Sequence, residues 1–283
     1  MDANMLALMA ITLFAATVNG ALGYGFSSIT VPIALLFLTN RVLNPALVPI
    51  EVVLNAYVLW VNRASLPTVW RRVLPIVLAL APGVIAGTMM VSQVNSVVLK
   101  LITYIVLLPL ILMQAAGFRR PIRSERAAGA AFGVGVGVLY SVTTISGPPL
   151  AVALSNQGLA QQEFRAALGF IRLAESTMTA VAYGVAGLYT AQSTSLIPVI
   201  IPSLAIGVPV GGYLIRRMQA DLFRRVCMSF DAWIVGFGLS GVLRDLHVLS
   251  GGTPYLVFAA VVAFDIWLYR FFTAQRTAVS AAA

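Results

Sequence analysis

The chain has little charge and few of the residues that carry most side-chain chemistry. Only 10% of its 283 residues are charged and 60% are hydrophobic. Soluble proteins carry roughly 25% charged residues, so an ordinary soluble fold is excluded. Disorder is excluded too, because it needs low hydrophobicity and high net charge. A single cysteine, Cys227, rules out a disulfide framework and a thiolate metal cage. A single histidine, His247, rules out a histidine-ligated metal site. There is no nucleotide P-loop, and Gly23-Tyr-Gly25-Phe is too short for a dinucleotide fingerprint. No catalytic residue, metal, cofactor or nucleic-acid partner is expected. The net charge of +9 is read as orienting, because the arginines lie between apolar blocks.

The apolar blocks are the dominant feature. They are predicted at 4–19, 27–38, 43–62, 73–91, 97–116, 127–142, 148–157, 164–186, 195–215, 221–243 and 251–272. About 20 residues cross a hydrocarbon core of about 30 Å. Four blocks, 4–19, 27–38, 127–142 and 148–157, are too short to span alone. They form two pairs, interrupted by Gly20-Ala-Leu-Gly-Tyr-Gly-Phe-Ser-Ser28 and by Ser141-Val-Thr-Thr-Ile-Ser-Gly-Pro-Pro149. Met1 to Gly20 carries only Asp2 and lacks the positive start of a signal peptide, so it is read as a retained membrane segment.

Arginine clusters set the expected topology. Arg63, Arg71 and Arg72 mark one cytoplasmic loop. Arg119, Arg120, Arg123 and Arg126 mark a second, and Arg216, Arg217, Arg224 and Arg225 a third. Arg270 and Arg276 place the C-terminus inside. The loops near Asn95, Gln192 and Ser250 are almost free of Lys and Arg and fall outside. The stretch 127–163 then leaves the cytoplasm and returns, either as a re-entrant hairpin or as two tilted short helices.

A shift of 124 residues aligns the halves. Leu80-Ala-Pro-Gly-Val-Ile-Ala-Gly87 falls on Leu204-Ala-Ile-Gly-Val-Pro-Val-Gly211, with five of eight residues identical. Glu51 meets Glu175, Arg41 meets Arg165 and Lys100 meets Arg224 at the same shift. Pro32-Ile-Ala-Leu35 falls on Pro149-Leu-Ala-Val152 at a shift of 117. Small-residue patterns recur by chance in membrane helices, but the charged pairs do not share that explanation. The halves have opposite orientation, so the repeat is inverted, as in secondary transporters. The expected fold is an all-α polytopic membrane protein of two inverted repeats with broken or re-entrant helices. Residues 1–116 form the first repeat, 117–126 a basic cytoplasmic linker, 127–243 the second repeat, and 244–283 an extra C-terminal helix and tail. By this symmetry the N-terminus lies outside.

The broken segments are the first candidate site. Irregular backbone at membrane depth is tolerated only inside protein or along a water-filled cavity. Gly23, Gly25 and Gly147 permit tight geometry. Pro32, Pro148 and Pro149 are expected near half-helix beginnings, where free N–H groups can face an anion. Ser27, Ser28, Thr30, Thr143, Thr144 and Ser146 add hydroxyls. A packing kink without a ligand is the bland alternative for one break, and two symmetric breaks weigh against it.

The intramembrane charges come next. Glu51 and Glu175 lie mid-span, where a carboxylate is expensive and functional by default. Either can exchange a proton during transport, because removal from water favours the neutral acid. A structural polar link is the alternative for each. It is stronger for Glu175, which Arg172 precedes by three residues and can neutralise along the helix. Asn55 follows Glu51, and Thr179 follows Glu175, by four residues. Asp231 and Asp265 are read as structural. Arg41 and Arg165 open their helices at opposite mouths and can draw anions to either gate, or anchor by snorkelling.

The stretch Gly20-Ala-Leu-Gly-Tyr-Gly-Phe-Ser-Ser-Ile-Thr-Val-Pro32 resembles the opening motif of the TauE/SafE sulfite exporter family. Ser146-Gly-Pro-Pro-Leu150, followed by Glu163-Phe-Arg-Ala166, is similar to its second-half motif. Tyr24 with Ser27–Ser28 stands where further glycines are usual. The resemblance implies a multi-pass permease of the bacterial inner membrane. It implies sulfite, organosulfonates or related sulfur oxyanions as substrate, usually exported, with coupling to protons plausible. The expected partners are a small anion and the lipid bilayer. Substrate residues are then Tyr24, Gly25, Ser27, Ser28, Thr30, Thr143, Thr144, Ser146, Gly147 and Arg165. Gating or coupling residues are Glu51, Glu175, Arg172 and Arg41. A carrier for another small anion or metabolite, or an uncoupled channel-like subunit, stays open as an alternative.

Overall fold

The computed structural model describes residues 3–115, 127–155, 159–215, 217, 220–248 and 251–282. The basic linker 117–126, with Arg119, Arg120, Arg123 and Arg126, lies outside the described residues. Every predicted apolar block is a helix, and no strand occurs among the described residues. The elements are α1 (Ala3–Leu22), α2 (Phe26–Ala34), α3 (Asn40–Val61), α4 (Leu66–Gln93), α5 (Ser96–Ala115), α6 (Ala127–Thr143), α7 (Gly147–Ser155), α8 (Gln161–Val185), α9 (Ala191–Thr194), α10 (Ile197–Leu214), α11 (Ala220–Asp245) and α12 (Tyr255–Ala282).

Among the described residues, six helical stretches are long and apolar enough to cross a membrane. One of them is α1, which corrects the expectation that its block is too short. The helix runs through Asn19 and Gly20 to Leu22 because this end is inside protein: Asn19 and Ala21 are buried. The helices α2 and α7 have nine residues each, about 13 Å at 1.5 Å per residue, too short to span. The helix α8 is 25 residues long but carries Glu163, Arg165, Arg172 and Glu175. Its mid-helix charges, Arg172 and Glu175, are buried, whereas Glu163 and Arg165 lie at its partly exposed start.

Glycine builds the two most extensive helix contacts. The helix α1 packs on α10 and α4 packs on α6. A Cβ on Gly211 would overlap the carbonyl of Thr17, and one on Gly83 would overlap that of Val134. Gly87 meets Val138 and Ser141, Gly137 meets Leu80, and Gly207 meets Leu13. Lipid supplies no hydrophobic drive between helices, so close backbone approach through small residues holds such pairs. Each pair joins an element before residue 117 to one after residue 126. The helix α3 lies against α8, and α5 against α11. The short α2 packs on α1 and α11, and α7 on α8 and α5. The helix α12 docks on α11, where Arg225 reaches the Asp265 carboxylate at 2.8 Å.

Candidate functional site

The two breaks solve the same backbone problem with different residues. Gly23 and Gly25 have φ of 84° and 109°, a region that side chains rarely adopt. The second break instead puts Thr144 at φ 55°. A β-branched residue there is strained by about 1–3 kcal/mol and persists only when its surroundings over-determine it. They do: its N–H donates to Tyr140 O, its hydroxyl donates to Thr143 O at 2.7 Å, and Ile145 N–H donates to Thr143 Oγ1 at 3.0 Å. Gly147 is not among the residues with positive φ. Its small size serves contact: a Cβ there would sit 3.4 Å from Tyr24 Cβ, so the two breaks touch. Pro148 and Pro149 do begin α7. Pro32 does not begin its helix; it lies inside α2, and its missing N–H leaves a carbonyl unpaired one turn earlier.

A charged cluster sits beside the breaks. Glu51 of α3 accepts from Ser27 Oγ at 2.5 Å, Tyr140 OH at 2.7 Å and Arg172 Nη2 at 3.0 Å. Ser27 is the second residue of α2, Tyr140 comes from α6 and Arg172 from α8. Arg172 therefore pairs across the α3–α8 contact, and the expected i to i+3 bridge to Glu175 gives way to it. The face of α8 that carries Arg172 packs on α3, and a long guanidinium reaches Glu51 there. Glu175 receives only the hydroxyl of Ser146, the residue before α7. Its other oxygen and Arg172 Nε have no hydrogen-bond partner. Glu51, Arg172 and Glu175 are all buried. Such groups are costly unless paired, and Glu175 is the one left short.

Most of the predicted hydroxyls are thus spent on the protein. Ser27 and Ser146 donate to carboxylates, Thr143 donates to Leu139 O in the last turn of α6, and Thr144 donates to Thr143 O. Thr30 is buried with an unpartnered hydroxyl, and Ser28 is buried nearby. Tyr24 and Gly25 shape the first turn.

Arg41 and Arg165 occupy matching helix starts but differ in engagement. Arg41 donates to the carbonyls of Val91, Ser92 and Val94 at 2.8–3.0 Å, capping the C-terminus of α4. Arg165 has no hydrogen-bond or ion-pair partner among the described residues. It lines an open cavity of about 700 Å³ with Asn19, Gly23, Tyr57, Asn62 and Tyr213. Its Nε lies 3.9 Å from where a Cβ on Gly23 would be. The cavity opens at the end where α3 and α10 finish, beside Arg63 and Arg217.

Tyr140, Asn40 and Asn44 were not singled out by the sequence, whereas Asn55 was. A signal existed: Asn40, Asn44, Glu51 and Asn55 recur at i, i+4, i+11 and i+15, one polar stripe on an apolar helix. Asn44 donates to Val142 O at 2.7 Å and Asn40 to the same carbonyl at 3.3 Å. They satisfy α6 where the break removes its helical donors. Asn55 donates to Arg172 O at 3.3 Å. Asp265 is structural, as expected, accepting from Arg225 and from Trp233 Nε1 at 3.1 Å. Asp231 makes no such link; both its oxygens are buried without a partner.

Multiple apolar helices around a buried ionic centre and two touching breaks define a multi-pass membrane protein built around a polar interior. The family model of the sulfite exporter TauE/SafE matches residues 8–239, and the chain belongs to that family. It is a family of transporters and not of enzymes. The match stops within α11, so α12 lies beyond it. No curated protein and no solved structure matches the chain.

Proposed function

We propose that the protein is a secondary transporter that exports sulfur oxyanions, sulfite and organosulfonates, by alternating access. The observation that carries this reading is the unequal engagement of Arg41 and Arg165. In an inverted repeat the two residues are equivalent, one at each mouth. Arg41 latches the end of α4, while Arg165 stands free in an open cavity at the opposite mouth. One end closed and the other open is what an alternating-access carrier needs. The switch exchanges the roles: Arg165 takes the end of α10 and Arg41 lets go. Two further observations support the repeat. The glycines that match at a shift of 124, Gly83 with Gly207 and Gly87 with Gly211, make the same kind of contact, and they do so reciprocally, α4 on α6 and α10 on α1.

Glu175 is the residue we assign to proton exchange. Glu51 is held by three donors that include a cation, whereas Glu175 has one hydroxyl and a bare oxygen. The Arg172–Glu51 pair then keeps the centre neutral while Glu175 gains or loses its proton. We assign the chain to the bacterial inner membrane with the Arg63, Arg71 and Arg72 loop and the C-terminus inside, and the N-terminus outside, a reading supported by the distribution of arginine between the apolar blocks. The test is sulfite and ethanesulfonate flux in proteoliposomes with and without an imposed pH gradient. Flux that follows the gradient supports a coupled carrier. Flux that ignores it removes the coupling, and no flux of any sulfur anion removes the substrate.

A further inference from the structure

The cavity at Arg165 does not end in polar residues. Tyr57, Val208 and Pro209 line it and also line an apolar groove of about 560 Å³ between α3 and α10. Ile50, Val53, Leu54, Ile201, Leu204 and Ala205 are among the apolar residues that line the rest of that groove. It faces outward: Val53 is 71% exposed and Ile201 52%. A free cation with amide and phenol groups therefore adjoins an apolar trough that leads toward lipid.

The other half carries the same trough without the head. A groove between α4 and α8 is lined by Ala81, Val84, Ile85, Thr177, Met178 and Val181. Each of these is 124 residues from a lining residue of the first groove, such as Ala205 from Ala81 and Tyr57 from Val181. Two things are missing there. Val181 replaces the tyrosine at the junction, and Arg41, the counterpart of Arg165, is bonded to the end of α4. The second trough is a lipid-facing surface and nothing more. That contrast singles out the first as a binding site.

Resting on the reading of Arg165 as an anion-receiving residue, we infer that this cavity and groove together take a single-chain alkanesulfonate. The sulfonate sits at Arg165 with Asn19 and Asn62 within the same cavity, and the hydrocarbon chain lies along α3 and α10. Bare sulfite would use only half of the site.

The experiment is titration calorimetry on the full chain in nanodiscs with ethane-, butane- and hexanesulfonate, and with 1-hexanol as the uncharged control. Burying part of each methylene should strengthen binding about two- to threefold per carbon. Hexanesulfonate should then bind roughly 15- to 80-fold tighter than ethanesulfonate. Ala205→Phe and, separately, Ile201→Trp fill the groove at exposed positions and should flatten that series while leaving ethanesulfonate binding within about twofold of the parent. Arg165→Gln should weaken every sulfonate and leave hexanol unchanged. A series that is flat in the parent, or as steep in both filled variants, overturns the inference while the transport reading stands. If phosphatidylglycerol in the disc displaces hexanesulfonate, the groove belongs to a bilayer lipid and the inference falls. If no sulfonate of any length binds, the inference falls together with the organosulfonate part of the transport reading, and sulfite flux decides the remainder.

Discussion

Arg172 of α8 donates to Glu51 of α3 at 3.0 Å and makes no hydrogen bond to Glu175, one turn along its own helix, whose second oxygen has no partner. The contact ties the two helices that run through the middle of the protein. Breaking a buried pair by removing one partner costs about 3–5 kcal/mol, because an uncompensated charge stays behind. Replacing both partners by apolar residues costs far less. Arg172→Met and Glu51→Leu should each lower the melting temperature strongly. The double variant should recover most of that loss. Thermal unfolding in detergent reads it, and simple additivity of the two losses would show that the pair is not a unit.

Glu175→Gln keeps the shape, and its amide can still meet Ser146. Folding and sulfonate binding should persist. What should vanish is the response of flux to a pH gradient, leaving transport driven by the anion gradient alone. Glu51→Gln makes the informative contrast: it loosens Arg172 and should impair stability along with flux. Gradient-dependent flux that survives in Glu175→Gln would move the coupling role elsewhere.

Arg41 and Arg165 should behave oppositely when mutated. Arg165→Gln removes the free cation of the open cavity and should weaken anion binding by roughly tenfold or more, with little change in melting temperature. Arg41→Gln frees three carbonyls at the end of α4 and should leave anion affinity at the Arg165 end intact. It should also unlatch the far mouth. A cysteine introduced at Asn95 would then label faster with a membrane-impermeant thiol reagent in the Arg41→Gln background than in the parent. Equal labelling rates would argue that Arg41 is an anchor alone.

Much of this protein could be read from its residues. Hydropathy alone located all eleven apolar helices, because lipid demands long apolar runs. Among the described residues it missed the one-turn α9 and the 3-10 turn Arg63–Ser65. The glycine and proline clusters located both breaks. Partner choice was not legible. Within the chain Arg172 stands nearest Glu175, and only the packing of α8 on α3 sends it to Glu51 instead. Sequence did set Arg165 apart from Arg41, by the polar rim of Gln161, Gln162 and Glu163, but it could not show that Arg41 is bonded to the end of α4. What distinguishes them is whether another helix ends beside them. Gly147 and Thr144 teach a related lesson: glycine marked the second break, yet the left-handed turn fell on a threonine whose neighbours bond it in place.

The same distinction between position and packing bears on Asp231. Its place in an apolar span suggested a structural link like that of Asp265. Asp265 has Arg225 and Trp233 as partners, whereas both oxygens of Asp231 are buried with none. An unsatisfied buried polar group costs about 1–3 kcal/mol, so its removal should stabilise. Asp231→Leu should raise the melting temperature, and Asp265→Leu should lower it by stranding Arg225. Transport by Asp231→Leu is the second readout. If the variant is more stable and fully active, the carboxyl is a passive burden. If it is more stable but slow, Asp231 takes part in the conformational cycle and finds its partner in the other state.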